Sequence, residues 1–125
     1  MTAGVVLVID DDRAVRDAFE LALADDGYEV QLADSGQIGL QLAAARRPDL
    51  VFLDLKMPGL DGVETLRRLQ ATDATIPVYV ATAFAQEYME GLRRAQQAGL
   101  RFQLAAKPLS PKQIRIIVKS IINGD

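Results

Sequence analysis

The sequence predicts an α/β fold, a parallel five-stranded sheet with helices on both faces, built from five consecutive strand–helix units. Three observations predict it. Short apolar runs recur along the chain: VVLVI at 5–9, LVFL at 50–53 and IPVYVA at 76–81. They are continuous and rich in β-branched residues, as strands buried on both faces are. Between them, apolar residues fall at helical spacing, beginning with Val15, Ala18, Phe19, Ala22 and Leu23. The two patterns alternate to the end, which argues for parallel strands joined by helical crossovers.

The first strand is Val5 to Ile9, ending in Asp10-Asp11-Asp12. A helix follows from Arg13 to about Asp26, closed by Gly27. Tyr28 to Ala33 alternates in polarity and predicts a less buried second strand. Ser35 caps a helix running to about Arg47, where Pro48 stops it. Leu50 to Asp54 is the third strand. Met57-Pro58-Gly59 and Asp61-Gly62 make the turn beyond it, with Asp61 as the cap of a helix from Gly62 to Thr72. Ile76 to Ala81 predicts the fourth strand, ending at Thr82, and Gln86 to Ala98 a helix stopped by Gly99. Arg101 to Ala106 is the fifth strand, ending at Lys107-Pro108. Ser110-Pro111 then provides an N-cap and an N1 proline for a last helix, to about Ile122. Right-handed crossovers leave few strand orders open, and the flavodoxin-like order 2-1-3-4-5 is expected.

Bulk properties remove several functions. At 125 residues the chain is one domain, 1–125, with no internal repeat or linker. Its net charge of -3 supplies no basic patch for nucleic acid or a membrane surface. No apolar run approaches the roughly 20 residues that cross a bilayer, and no signal peptide is evident, so a cytoplasmic protein is expected. There is no cysteine and no histidine. Thiolate sites, imidazole zinc sites and a Ser-His-Asp triad are therefore excluded. Chemistry must come from carboxylates, hydroxyls, lysine, backbone amides and hard cations.

Those groups converge in the expected fold. Ligands of open parallel sheets bind beyond the carboxyl ends of the strands. Asp10, Asp11 and Asp12 follow strand one, Asp54 ends strand three, Thr82 strand four and Lys107 strand five. Asp54 there can be a nucleophile, a metal ligand, or both. Clustered carboxylates repel one another, and a divalent cation relieves the conflict. Oxygen-only ligands with room for water suit Mg²⁺ better than Ca²⁺. Thr82 as hydroxyl donor and Lys107 as mobile cation complete a phosphoryl-binding arrangement, with Asp54 as in-line nucleophile.

At this point the motifs resemble those of a family. VVLVIDDD followed by Arg16, LVFLDLKMPGLDG, VYVATA and AAKP are similar, in order and spacing, to the motifs of the receiver domain of two-component response regulators, along essentially the whole chain. The resemblance implies that Asp54 is the phosphoacceptor. It implies that Asp11, Asp54 and the backbone carbonyl of Lys56 bind Mg²⁺ directly, while Asp10 acts largely through water. It further implies that Thr82 and Lys107 hold phosphoryl oxygens, that the Lys107-Pro108 peptide is cis, and that the donor is a histidine on a separate sensor kinase or histidine phosphotransfer protein. Such a domain catalyses only its own phosphorylation and dephosphorylation and controls a downstream partner or attached effector.

Two other classes compete. A Mg²⁺-dependent aspartyl-phosphate phosphatase commonly has a second carboxylate two residues after its nucleophile, where this chain has Lys56. A flavin or dinucleotide module needs a glycine-rich phosphate cradle after its first strand, where this chain has three aspartates.

The chain also departs from its family. The aromatic usual three residues before the lysine is replaced by Leu104, with Phe102 on the same side of the strand, so either Phe102 takes over as the switch or, the reading preferred here, a Thr82-linked loop movement works without an aromatic. Lys56 and Phe84 flank the phosphoryl position, and Phe84 is expected to shield it from water. On the last helix Ile116 lies opposite the core stripe of Ile114, Ile117, Val118 and Ile121. It is expected on the surface of helix 4, strand 5 and helix 5, where phosphorylation-linked dimers form.

Overall fold

A computed structural model describes residues 3–83 and 85–124. Phe84, expected to shield the phosphoryl position, lies outside the described residues. The elements run β1 (Val5–Ile9), α1 (Arg13–Leu23), β2 (Glu29–Ala33), α2 (Gly36–Ala45), β3 (Leu50–Leu53), α3 (Gly62–Thr72), β4 (Val78–Thr82), a 3-10 turn (Ala85–Tyr88), α4 (Met89–Gln97), β5 (Gln103–Ala106) and α5 (Pro111–Asn123). All strand pairs are parallel and the order is β2-β1-β3-β4-β5, as expected.

The sheet divides the core in two. On one face Val6, Val8, Leu50 and Phe52 pack with Phe19, Ala22 and Leu23 of α1 and Ile114 and Val118 of α5. On the other, Leu7, Ile9, Val51, Leu53, Val78 and Val80 pack with Leu66 and Leu69 of α3 and Leu92 and Ala95 of α4. The β-branched strand runs are apolar throughout because each strand residue meets one layer or the other. β2 is half-buried and β5 largely exposed, as edge strands are.

Helix starts follow the expected caps. Ser35 accepts from Ile38 N at 3.2 Å, Asp61 from Glu64 N at 2.9 Å and Ser110 from Gln113 N at 3.1 Å. Asp12, which follows the first strand, is the N-cap of α1 and accepts from Ala14 N at 2.9 Å. Boundaries differ where backbone chemistry intervenes. α2 ends at Ala45, two residues early, because Arg47 precedes Pro48 and is steered away from helical ψ. β4 begins at Val78 because Pro77 has no N–H for a ladder. β5 begins at Gln103, not Arg101. The Arg101 backbone is instead held by the Gln70 side chain, whose Oε1 accepts from Arg101 N at 2.9 Å while its Nε2 donates to Arg101 O at 2.5 Å.

One expectation is corrected. Ile116 is 57% exposed, but it lies away from the α4–β5 side of α5. It lines a groove with Asp26, Tyr28, Lys112, Arg115 and Lys119. The apolar exposure on the α4–β5 side comes from Met89 and Leu104.

Candidate functional site

Register brings the functional residues to one edge of the sheet. Ile9 pairs with Leu53, and Thr82 with Ala106. The ladder continues one residue past the strands: Asp54 N donates to Ile9 O at 2.9 Å and Lys107 N to Thr82 O at 3.1 Å. Asp10, Asp54, Thr82 and Lys107 thus leave β1, β3, β4 and β5 at the same end.

The turn after β3 is fixed from several directions. Leu55 and Met57 are buried in the core below it. Pro58-Gly59 turns the chain with φ of +78° at Gly59, the glycine position of a type II turn. Gly62 opens α3 against the turn itself, where a methyl group would overlap the Asp54 carbonyl and the Leu55 Cα. Only glycine permits that approach.

At the centre, Asp10 is 3% and Asp54 6% exposed. The Lys107 Nζ lies 2.5 Å from Asp10 Oδ2 and 3.5 Å from Asp54 Oδ2. Asp10 is further held by the Asp12 amide, which donates to Oδ1 at 2.9 Å, and by Arg16, whose guanidinium donates to its carbonyl at 2.8 Å. Asp54 is less well provided: Oδ1 is buried without a hydrogen-bond partner. Burial pushes the Asp54 carboxyl above its ordinary range, and the Asp10 charge adds to this. Lys107 and the Lys56 and Leu55 amides pull the other way without cancelling it.

One oxygen from each of Asp10, Asp11 and Asp54 falls within 4.8 Å of the others. An all-carboxylate set with one partnerless buried oxygen fits a hard divalent cation in chemistry and spacing.

Residues 6–119 match the family model described as the response regulator receiver domain. The chain belongs to that family. Receiver domains of two-component response regulators accept a phosphoryl group on an aspartate and switch to control effectors. This receiver is 49% identical over 78 residues to the response regulator MprA of Mycolicibacterium vanbaalenii, a match covering 62% of the chain and 34% of that relative. It is therefore matched to about a third of a longer protein. Among solved structures it is similar to a CheY-like receiver domain protein from Methanospirillum hungatei JF-1, with a TM-score of 0.86 and 25% identity over 97% of this chain and 94% of that one. It is also similar to the apo receiver domain of nitrogen regulatory protein C, with a TM-score of 0.84 and 29% identity over 99% of this chain and 98% of that one.

Two residues of this receiver went unread in the sequence. Tyr88 is half-buried against the core layer that holds Leu55 and Met57. Its phenol is pushed up by burial and by the charges of Glu87, Asp61 and Asp54, so it shares the site's electrostatic field. Gln70 is buried and ties α3 to the entry of β5. Neither has a sequence signal, since a helical tyrosine reads as core and a helical glutamine as surface. Phe102 and Leu104 line one groove beside Met89 and Leu92, consistent with their expected common side. The Lys107-Pro108 peptide is cis.

Proposed function

We propose that this receiver takes its phosphoryl group on Asp54 from a phosphohistidine of a sensor histidine kinase or histidine phosphotransfer protein. The observation that carries the reading is the Lys107 amine 3.5 Å from Asp54 Oδ2, with the Asp10 and Asp11 carboxylates beside it. An Asp54 oxygen attacks phosphorus in line, the P–N bond breaks, and the imidazole leaves with the bonding pair. Lys107 then moves its charge from the Asp10 and Asp54 carboxylates to a phosphoryl oxygen, and the Thr82 hydroxyl donates to another. Asp11, Asp54 and the Lys56 carbonyl, with Asp10 acting through water, would hold Mg²⁺, which would supply positive charge against the transferring group. Attack by water reverses the modification, so the domain catalyses only its own phosphorylation and dephosphorylation. Lys56, two residues beyond Asp54, flanks the water's path.

Phosphorylation shifts an equilibrium between two conformations and so controls a downstream partner or an attached effector. The cytoplasm is the compartment we assign to it. Met89 and Leu104 make the face of α4, β5 and α5 the surface for a phosphorylation-linked homodimer, and Leu104→Asp should prevent that pairing in sedimentation runs with a phosphoryl mimic.

Acetyl phosphate with Mg²⁺ should label the chain once, at Asp54, by intact mass and peptide mapping. Labelling of Asp54→Asn at the wild-type level would overturn the assignment. Sustained turnover of generic phosphomonoesters would favour a phosphatase instead.

A further inference from the structure

Arg16 belongs to the motif that follows the first strand, yet no step of the phosphoryl chemistry uses it. It is half-buried, and its guanidinium donates to the Asp10 carbonyl at 2.8 Å. The other arginines of α1, α3 and α4 take carboxylates: Arg13 pairs with Asp17, Arg67 and Arg68 with Glu64, and Arg93 and Arg94 with Glu90. Arg16 forms no ion pair among the described residues, although Asp10, Asp11 and Asp12 lie just upstream. A full positive charge is thus directed at a neutral oxygen in an acidic stretch.

What that bond holds is the link to Asp11. β1 ends at Ile9 and α1 begins at Arg13, so Asp10, Asp11 and Asp12 connect the two. Asp10 is anchored elsewhere as well: its amide donates to Ala33 O at 3.0 Å, and its carboxylate accepts from the Asp12 amide and from Lys107. Asp11 is exposed and has no hydrogen bond or ion pair of its own among the described residues. Its carboxylate nevertheless belongs to the set whose oxygens fall within 4.8 Å of one another. The Asp10 carbonyl and the Asp11 amide share one planar peptide unit. Fixing the carbonyl therefore fixes the direction in which the Asp11 Cα leaves the strand, and with it where the carboxylate starts.

We propose that Arg16 is a positioning residue for Mg²⁺: by clamping the Asp10–Asp11 peptide it keeps the exposed Asp11 carboxylate beside the buried carboxylates of Asp10 and Asp54. The inference rests on the reading of Asp10, Asp11 and Asp54 as the cation's site. The clamp and the charge of Arg16 act in opposite directions. A guanidinium near a cation site repels the cation, so by charge alone its removal tightens binding. Removal of a clamp on a ligand weakens binding, by about ten-fold or more for groups that orient metal ligands.

The test is a Mg²⁺ titration of the full chain, followed by backbone amide NMR shifts, for wild type, Arg16→Met and Arg16→Lys. Methionine keeps a flexible apolar stem and has no donor. Lysine keeps a donor and the charge, and a single bond to a carbonyl does not need the guanidinium fork. Arg16→Met should bind Mg²⁺ about ten-fold more weakly than wild type, and Arg16→Lys should recover most of that loss. A purely structural contact would lower the melting temperature without Mg²⁺ and leave the Mg²⁺ constant where it was. Acetyl phosphate labelling of Arg16→Met should lag most at low Mg²⁺ and gain on wild type as Mg²⁺ rises. Equal or tighter Mg²⁺ binding by Arg16→Met overturns the proposal, as does an Arg16→Lys chain that binds no better than Arg16→Met. So does a labelling deficit that is the same at every Mg²⁺ concentration. A wild type that binds no Mg²⁺ and takes no label removes the reading of the site and this inference together, whereas a wild type that does both, beside an unaltered Arg16→Met, removes the inference alone.

Discussion

Asp54 carries its charge at a cost, because its carboxylate is buried and Oδ1 has no hydrogen-bond partner. A carboxyl whose folded pKa is raised destabilises the fold wherever it is ionised, and the penalty fades as pH falls through that pKa. Asp54→Asn should therefore melt higher than wild type at neutral pH without Mg²⁺, with the gap closing in acid. Equal melting at neutral pH would contradict the account. Asp73 behaves oppositely. Hydrogen bonds from the Thr75 hydroxyl and amide and from Arg47 lower it from 3.8 to about 2. Its stabilisation is complete above 3.8 and is lost as pH falls through about 2. Asp73→Asn should be less stable than wild type at neutral pH, and acid titration of thermal stability should bring the two curves together across that window. Parallel curves would show the carboxylate to be idle.

At the scale of elements, Gln70 is the connection most open to test. Gln70→Ala leaves the Arg101 N–H and carbonyl without their side-chain partners, and should cost about 1–3 kcal/mol in urea unfolding, the range for lost partners of buried polar groups. β5 hydrogen exchange should rise more than exchange in β1. A loss spread evenly over the sheet would place the role of Gln70 elsewhere. The same residue marks what the sequence could convey. Strand existence, order and the caps Ser35, Asp61 and Ser110 were legible because periodicity and short-range capping are local. The functional cluster was legible because each member stands at the end of a strand. Gln70, Tyr88 and the true setting of Ile116 were not, because each depends on what a distant element brings alongside. The late start of β5 has the same origin, since the distant Gln70 amide holds Arg101 out of the ladder, whereas that of β4 is local, set by Pro77; hydrophobicity reports neither.

For the whole molecule, ligand linkage gives the broadest prediction. A cation that binds Asp10, Asp11 and Asp54 in the folded chain, and not in the unfolded one, raises the melting temperature by mass action. Mg²⁺ should stabilise wild type in a concentration-dependent way, and Asp54→Asn should remove most of that increment; an identical increment in both proteins would exclude Asp54 as a ligand. The Lys107 side chain also matters at this scale. It is rooted at the end of β5, the outermost and most exposed strand, yet its tip rests on groups from β1 and β3. That arm joins the buried carboxylates at the centre of the sheet to its most exposed strand. A small rearrangement of charge at the middle therefore reaches the rim directly, without having to deform the layers in between.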